Sequence, residues 1–207
     1  MKKILTFSAI LLATISLAAC GGKNSSDDSK NAQQASQSST LKVKTNKGIT
    51  HAAYDKIATA NITSAKGGTD EQIVKDAFGK PNSTSKVTVN DGSKKAAVQY
   101  AWTNLNKRFR ASAVTVEFLK GHAVGKGYIE AGLHQRRYIA KDNINRVKTG
   151  DTYATVVKKL GTPASESLTG KGSLSARSVT YATGKDGKAI SLMFTGDKLI
   201  SKTAINK

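Results

Sequence analysis

The chain has 207 residues, with 33 Lys and Arg against 14 Asp and Glu and a formal net charge of +19 at neutral pH. That length suffices for one or two small packed domains, and the single cysteine, Cys20, excludes a fold stapled by intrachain disulfides. So large a positive excess favours anionic polymers or an anionic membrane surface as neighbours.

The first predicted element is an export signal. Lys2 and Lys3 precede an apolar run over residues 4–17, shorter than the ~20 residues of a membrane span. Leu17-Ala18-Ala19-Cys20 follows, with Gly21 and Gly22 behind it. This end resembles the lipobox of bacterial lipoproteins. The resemblance implies that residues 1–19 are a signal peptide and that Cys20 is acylated and becomes the first mature residue. Loss of Lys2 and Lys3 lowers the charge by two, to +17. Residues 20–50 are Ser, Asn, Gln and Lys rich and lack aromatics, so they read as a flexible tether with a root-mean-square reach of ~30 Å.

The remainder divides into residues 51–132 and 133–207, each carrying one copy of a common pattern. A weak helical stretch comes first, around Ala53 to Ile57 and around Asn143 to Val147. A capped helix follows: Thr69 opens one and Asp151 the other. Their apolar residues recur at helical spacing, Ile73, Val74, Ala77 and Phe78, then Tyr153, Val156, Val157 and Leu160. Gly79 and Gly161 stand where a left-handed cap belongs, and Pro81 and Pro163, the only prolines, bar continuation.

Period-two strands come next, Val87 to Val89, Val98 to Trp102 and Val114 to Phe118, with a final short strand at His122 to Lys126. Their counterparts are Val179 to Tyr181, Ile190 to Phe194 and Lys198 to Lys202. The fold class expected is therefore α+β, two tandem repeats, each a helix-turn-helix pair packed on a three- to four-stranded antiparallel sheet. The residues alternating opposite the core are Gln99, Ala101, Thr115 and Glu117, then Thr180, Ala182, Ser191 and Met193.

The runs Ile144 to Tyr153 and Val156 to Pro163 are similar to a motif of small tandem-repeat lipoproteins of Gram-positive bacteria. Those repeats resemble the halves of the beta-lactamase inhibitory protein, and the same unit occurs in small outer-membrane assembly lipoproteins. The resemblance spans about Tyr54 to Lys207 and implies a binding platform rather than an enzyme. Two departures stand out: the inhibitory protein has disulfides in its repeats, and its binding face is rich in aromatics.

No catalytic constellation is legible. His51, His122 and His134 are widely spaced and read as surface or loop residues, with no metal-ligand spacing. No carboxylate pair, no Gly-x-Ser-x-Gly elbow and no phosphate loop occurs. No cofactor is expected.

Two basic clusters remain, Lys107-Arg108-Phe109-Arg110 and Gln135-Arg136-Arg137-Tyr138. Arg108, Arg110, Arg136 and Arg137 are the candidates for an anionic ligand, because guanidinium groups bind oxyanions bidentately. The plainer reading makes both clusters solvated, with Phe109 and Tyr138 turned into the core. The function expected is a lipid-anchored, non-catalytic module on the extracellular face of the membrane, contacting an envelope protein or anionic wall polymer. The alternative is an inhibitor of a secreted or cell-wall hydrolase; a third is binding of extracellular nucleic acid, which salt would weaken steeply.

Overall fold

A computed structural model describes residues 48–90, 94–130, 138–185 and 187–205. The signal peptide, Cys20, most of the tether, His134, Arg136 and Arg137 lie outside the described residues. The elements run α1 (His51–Asp55), α2 (Glu71–Phe78), β1 (Ser83–Asn90), β2 (Lys94–Trp102), β3 (Ala111–Leu119), β4 (His122–Glu130), α3 (Lys141–Asn145), α4 (Tyr153–Leu160), β5 (Ser165–Thr169), β6 (Ala176–Ala182), β7 (Ala189–Thr195) and β8 (Lys198–Ile205). All eight strands form one antiparallel sheet in which spatial order equals chain order.

This corrects the expectation of two helix-turn-helix repeats, each on its own small sheet. β4 and β5 pair from Gly125↔Thr169 to Tyr128↔Glu166 and make the sheet continuous. The structure is mostly β, α1 and α3 have five residues each, and residues 56–70 form a long connection rather than a tight turn. β5 escaped prediction because Ser165-Glu166-Ser167-Leu168-Thr169 shows no apolar alternation. Its backbone groups are instead satisfied by strands on both sides.

Local signals hold α2 and α4 in place. Their N-caps are Asp70, accepting from Gln72 N–H at 2.8 Å, and Thr152, accepting from Thr155 N–H at 3.2 Å. Each lies one residue beyond the expected cap. Thr69 Oγ1 instead accepts from Ala58 N–H, and Asp151 accepts from Lys148 N–H and pairs with Lys159. Gly79 and Gly161 do adopt positive φ, 81° and 85°, but with ψ of −169° and −170°. That is a glycine-only extended region rather than the left-handed helical one. Trp102 Nε1 donates to Gly79 O, and Tyr181 Oη to Gly161 O, both at 2.9 Å, so each corner is fastened to a strand.

The helices cover one face of the sheet. Tyr54, Val74, Phe78, Trp102, Val116 and Phe118 fill one core cluster there; Val147, Val156, Leu160, Val179, Leu192 and Phe194 fill another. A third cluster lies on the opposite face, where Ala60 and Ala65, from the connection 56–70, bury Val89, Ala97, Leu119 and Val124. Ala60 N–H to Ala123 O and Thr59 Oγ1 to Gly170 O, each 2.6 Å, tie that connection down.

β4 and β8 each bulge by one residue, at Val124 and Ile200. Val124 is fully buried, whereas Ile200 is 51% exposed. The connection before α4, residues 146–152, is too short to reach over the sheet as 56–70 does.

Candidate functional site: an arginine-lined cavity and an open sheet face

The β4–β5 seam carries a buried polar network on its helical side. Glu166, 6% exposed, accepts from Tyr54 Oη at 3.2 Å and from Tyr153 Oη. Lys126, nearly as buried, donates to the carbonyls of Tyr54 (3.0 Å) and Asp55 (3.3 Å) and stands 4.5 Å over the Tyr54 ring. Arg177 lies 3.6 Å over the Tyr153 ring. Burial lowers the Lys126 ammonium to about 8, against the pull of the Glu166 charge. Burial, with Glu166 adding to it, pushes the Tyr54, Tyr128, Tyr153 and Tyr181 hydroxyls upward. The tyrosines therefore act as neutral donors. Residues from α1, α4, β4, β5 and β6 meet here, so the network locks the two ends of the sheet together.

Beside this network opens a cavity of about 340 Å³. The turn Lys107–Phe109 builds one wall. Asn106 caps it by accepting from Arg108 N–H, and Arg110 closes it in a left-handed conformation at φ 56°. This geometry buries Phe109 and leaves Arg108 and Arg110 exposed and lining the cavity. Phe109 thus enters the core as the plainer reading expects. Tyr138, expected to do the same, is 44% exposed.

The facing wall is the corner at residues 162–164, with Tyr128 and Tyr181. Tyr128 Oη is already occupied, donating to Pro163 O at 3.1 Å.

His51, expected as a surface or loop residue, is half-buried at the start of α1. Its ring is set among the rings of Phe109 (5.0 Å, edge-on) and Tyr128 (5.5 Å), and it lines the cavity. Nδ1 bonds Asp55 Oδ2 at 2.8 Å, while Nε2 is buried without a protein hydrogen-bond partner. No local signal marks this, because Phe109 and Tyr128 are far away in sequence. Among the described residues, no group of three or more His, Cys, Asp or Glu is placed to hold a metal ion.

The second surface is the sheet face away from the helices. Cross-strand register aligns Ala101, Thr115, Gly127, Ser167, Ser178, Met193 and Ser201 in one row. Ser165, Thr180, Ser191 and Thr203 form a second, and Gln99, Glu117, Gly125 and Thr169 a third. Glu117 is the one acidic side chain in these rows. Burial raises its carboxyl above the usual range, opposed by a 3.1 Å bond from Gln99 Nε2. The β1–β3 end is covered by Ala60 and Ala65, while the β6–β8 end is open, with Met193 40% exposed beside Ile200.

The comparisons agree with this architecture. One solved structure, a "putative beta-lactamase inhibitor protein" from Streptococcus mutans, superposes with a TM-score of 0.57 at 21% identity. The match covers 75% of this chain and 94% of that one, and at this identity the likeness concerns the fold. No curated protein matches the sequence. A family model described as a domain of unknown function with a solved structure, DUF3862, matches residues 45–206. The chain, over nearly all of its described length, belongs to the DUF3862 family.

Proposed function

We propose that this protein is a non-catalytic binding module, held at the extracellular face of the membrane through lipid on Cys20, that docks an envelope protein on its helix-free sheet face. The observation that carries the reading is the open β6–β8 end of that face. Its rows are mostly Ser, Thr and Ala, with Met193, and with Lys198 and Ile205 at the margins, so a partner can approach the backbone closely at the centre. β6 and β7 are paired on both sides, which limits the ordering cost of association. The hydroxyls of the central rows offer donors and acceptors without a charge to desolvate. The high positive charge adds attraction to anionic wall polymer or lipid.

The test is a photo-crosslinking residue at Ser191 in the full chain on intact cells, with Lys159, on the helical side, as control. A discrete adduct from position 191 and none from position 159 supports docking on this face. No adduct from position 191, or equal adducts from both, overturns it.

A second reading, inhibition of a secreted or cell-wall hydrolase, is favoured by the likeness to the Streptococcus mutans protein. The face departs from an inhibitor's usual anchors, since the rows hold no Trp, Tyr or Arg. Unchanged activity of candidate hydrolases in excess protein removes this reading.

A further inference from the structure

β8 closes one end of the sheet, and beyond its bulge at Ile200 no described strand pairs with its outer side. Lys202, Thr203, Ala204 and Ile205 are all exposed there. The same stretch of β4, beyond its bulge at Val124, is paired with β5. The two strands are otherwise set alike. Ala123 N–H donates to Thr69 O at 2.8 Å, and Leu199 N–H to Asp151 O at 2.9 Å. Lys126 Nζ reaches the carbonyls of Tyr54 and Asp55 at the end of α1. Lys202 Nζ likewise reaches those of Ile144 (3.4 Å), in α3, and Val147 (2.9 Å), just after it.

The β4–β5 seam therefore shows what such a rim accepts. β5 sets Leu168 opposite Lys126 and Glu166 opposite Tyr128, and the Glu166 charge favours the Lys126 ammonium. Lys202 holds the matching place on β8 and has no ion-pair partner among the described residues. Its two carbonyl bonds fix the ammonium, so an arriving carboxylate meets a charge that is already placed. The carboxylates of neighbouring segments are Asp142 on α3, Asp197 in the β7–β8 turn and Asp151, which Lys159 already pairs. Ser201 and Thr203 stand where β4 has Gly125 and Gly127, so an added strand lies at ordinary spacing, without the close approach of β5.

From this correspondence we infer that the rim of β8 takes up an extended, acidic segment of a partner protein as an added strand. Backbone bonds supply the attachment, and Lys202 the preference for acid. A second copy of the chain fits poorly, because Lys86 is the counterpart of Leu168 and β1 would bring it opposite Lys202. β1, the other outer strand, offers no fixed charge, since Lys86 makes no bond among the described residues. The rim is distinct from the helix-free face, so exchange at β8 and crosslinking at Ser191 succeed or fail separately.

The test is amide hydrogen exchange, read by NMR on the full chain, with the capped peptide Thr-Glu-Val-Glu-Val-Thr as probe. One comparison peptide has both Glu replaced by Gln, another has both replaced by Lys, and a third keeps the charges but has Pro for the first Val. The acidic peptide should slow exchange of β8 amides within residues 202–205 and leave those of β1 unchanged. The Gln peptide should bind about threefold more weakly or worse, and the Pro peptide should slow nothing. Lys202→Gln should erase the difference between the Glu and Gln peptides. Lys202→Arg, which keeps the charge, serves as the check should the glutamine variant misfold.

Unchanged exchange at β8 overturns the inference even if Ser191 crosslinks. Equal effects of the Glu and Lys peptides overturn the acidic class, and an equal effect of the Pro peptide overturns strand addition. Equal slowing of β1 overturns the choice of rim. Slowing at β8 that grows with protein concentration alone makes the occupant a second copy and overturns the partner.

Discussion

Lys126 and Glu166 share an interior that few charged side chains enter. Because burial holds the Lys126 ammonium near 8, below its unfolded value of ~10.4, the unfolded chain binds more protons than the native one between those limits. Stability therefore rises with pH across that window. Relative to Lys126→Met, the native protein should gain on the order of 2 kcal/mol between about pH 8 and 10, read from urea midpoints at each pH. Parallel curves for the two proteins would show that Lys126 is not desolvated. The bonds from Trp102 and Tyr181 to Gly79 O and Gly161 O make a matched pair at this scale. Trp102→Phe and Tyr181→Phe should each lower stability by about 1–3 kcal/mol, by leaving a carbonyl unpaired, with Trp102→Phe costing more because it also loses buried volume. The glycines that accept these bonds could be picked out in the sequence, since Gly before x-Pro after an apolar turn is a local pattern. Their aromatic partners could not, because Trp102 is 23 residues from Gly79.

At the level of elements, the seam between β4 and β5 depends on close approach. A Cβ on Gly127 would lie 2.8 Å from the Glu166 carbonyl oxygen, a backbone atom that cannot swing aside. Gly127→Ala should therefore destabilise by about 1–3 kcal/mol or more, measured by urea unfolding, while Gly121→Ala at the β3–β4 turn, where nothing crowds the added carbon, reports backbone strain alone. Equal losses for the two would mean that the strands part easily at position 127. The seam also marks where sequence reading ran out. Five of the eight strands announce themselves by alternation, from Val87-Thr88-Val89 to Ile190-Ser191-Leu192, and His122 to Lys126 and Lys198 to Lys202 follow them as short final strands. β5 does not, because Ser167 and Thr169 lie on the polar face and Glu166, on the other, is buried only by virtue of Tyr54 and Tyr153. A carboxylate satisfied by tyrosines from two distant helices leaves no trace in a window of ten residues. The connection 56–70 was opaque for a related reason: Ala60 and Ala65 are too small to look like core residues, yet they cover a third cluster. Of the candidate site, Arg108 and Arg110 were visible by composition, whereas the setting of His51 comes only from rings brought to it by folding.

For the molecule as a whole, charge is the feature that reaches beyond the fold. With a formal net charge of +19, its proposed binding to a wall polyanion should fall about tenfold or more between about 50 and 200 mM salt, followed by co-sedimentation with purified polymer. A salt-independent association would assign attachment to the helix-free sheet face alone. The sheet itself has a consequence for how the protein is made. Each strand's first neighbour is the one just synthesised, so a chain threading out of a pore, amino terminus leading, can zip residue by residue without waiting for a distant partner. The vulnerable moment comes when β4 has emerged and β5 has not. The rim from Gly125 to Tyr128 is then bare, and its two glycines, which admit β5 so closely, would admit the same rim of a sister chain as readily. Rapid delivery of residues 131–165 is what spares the nascent protein that error.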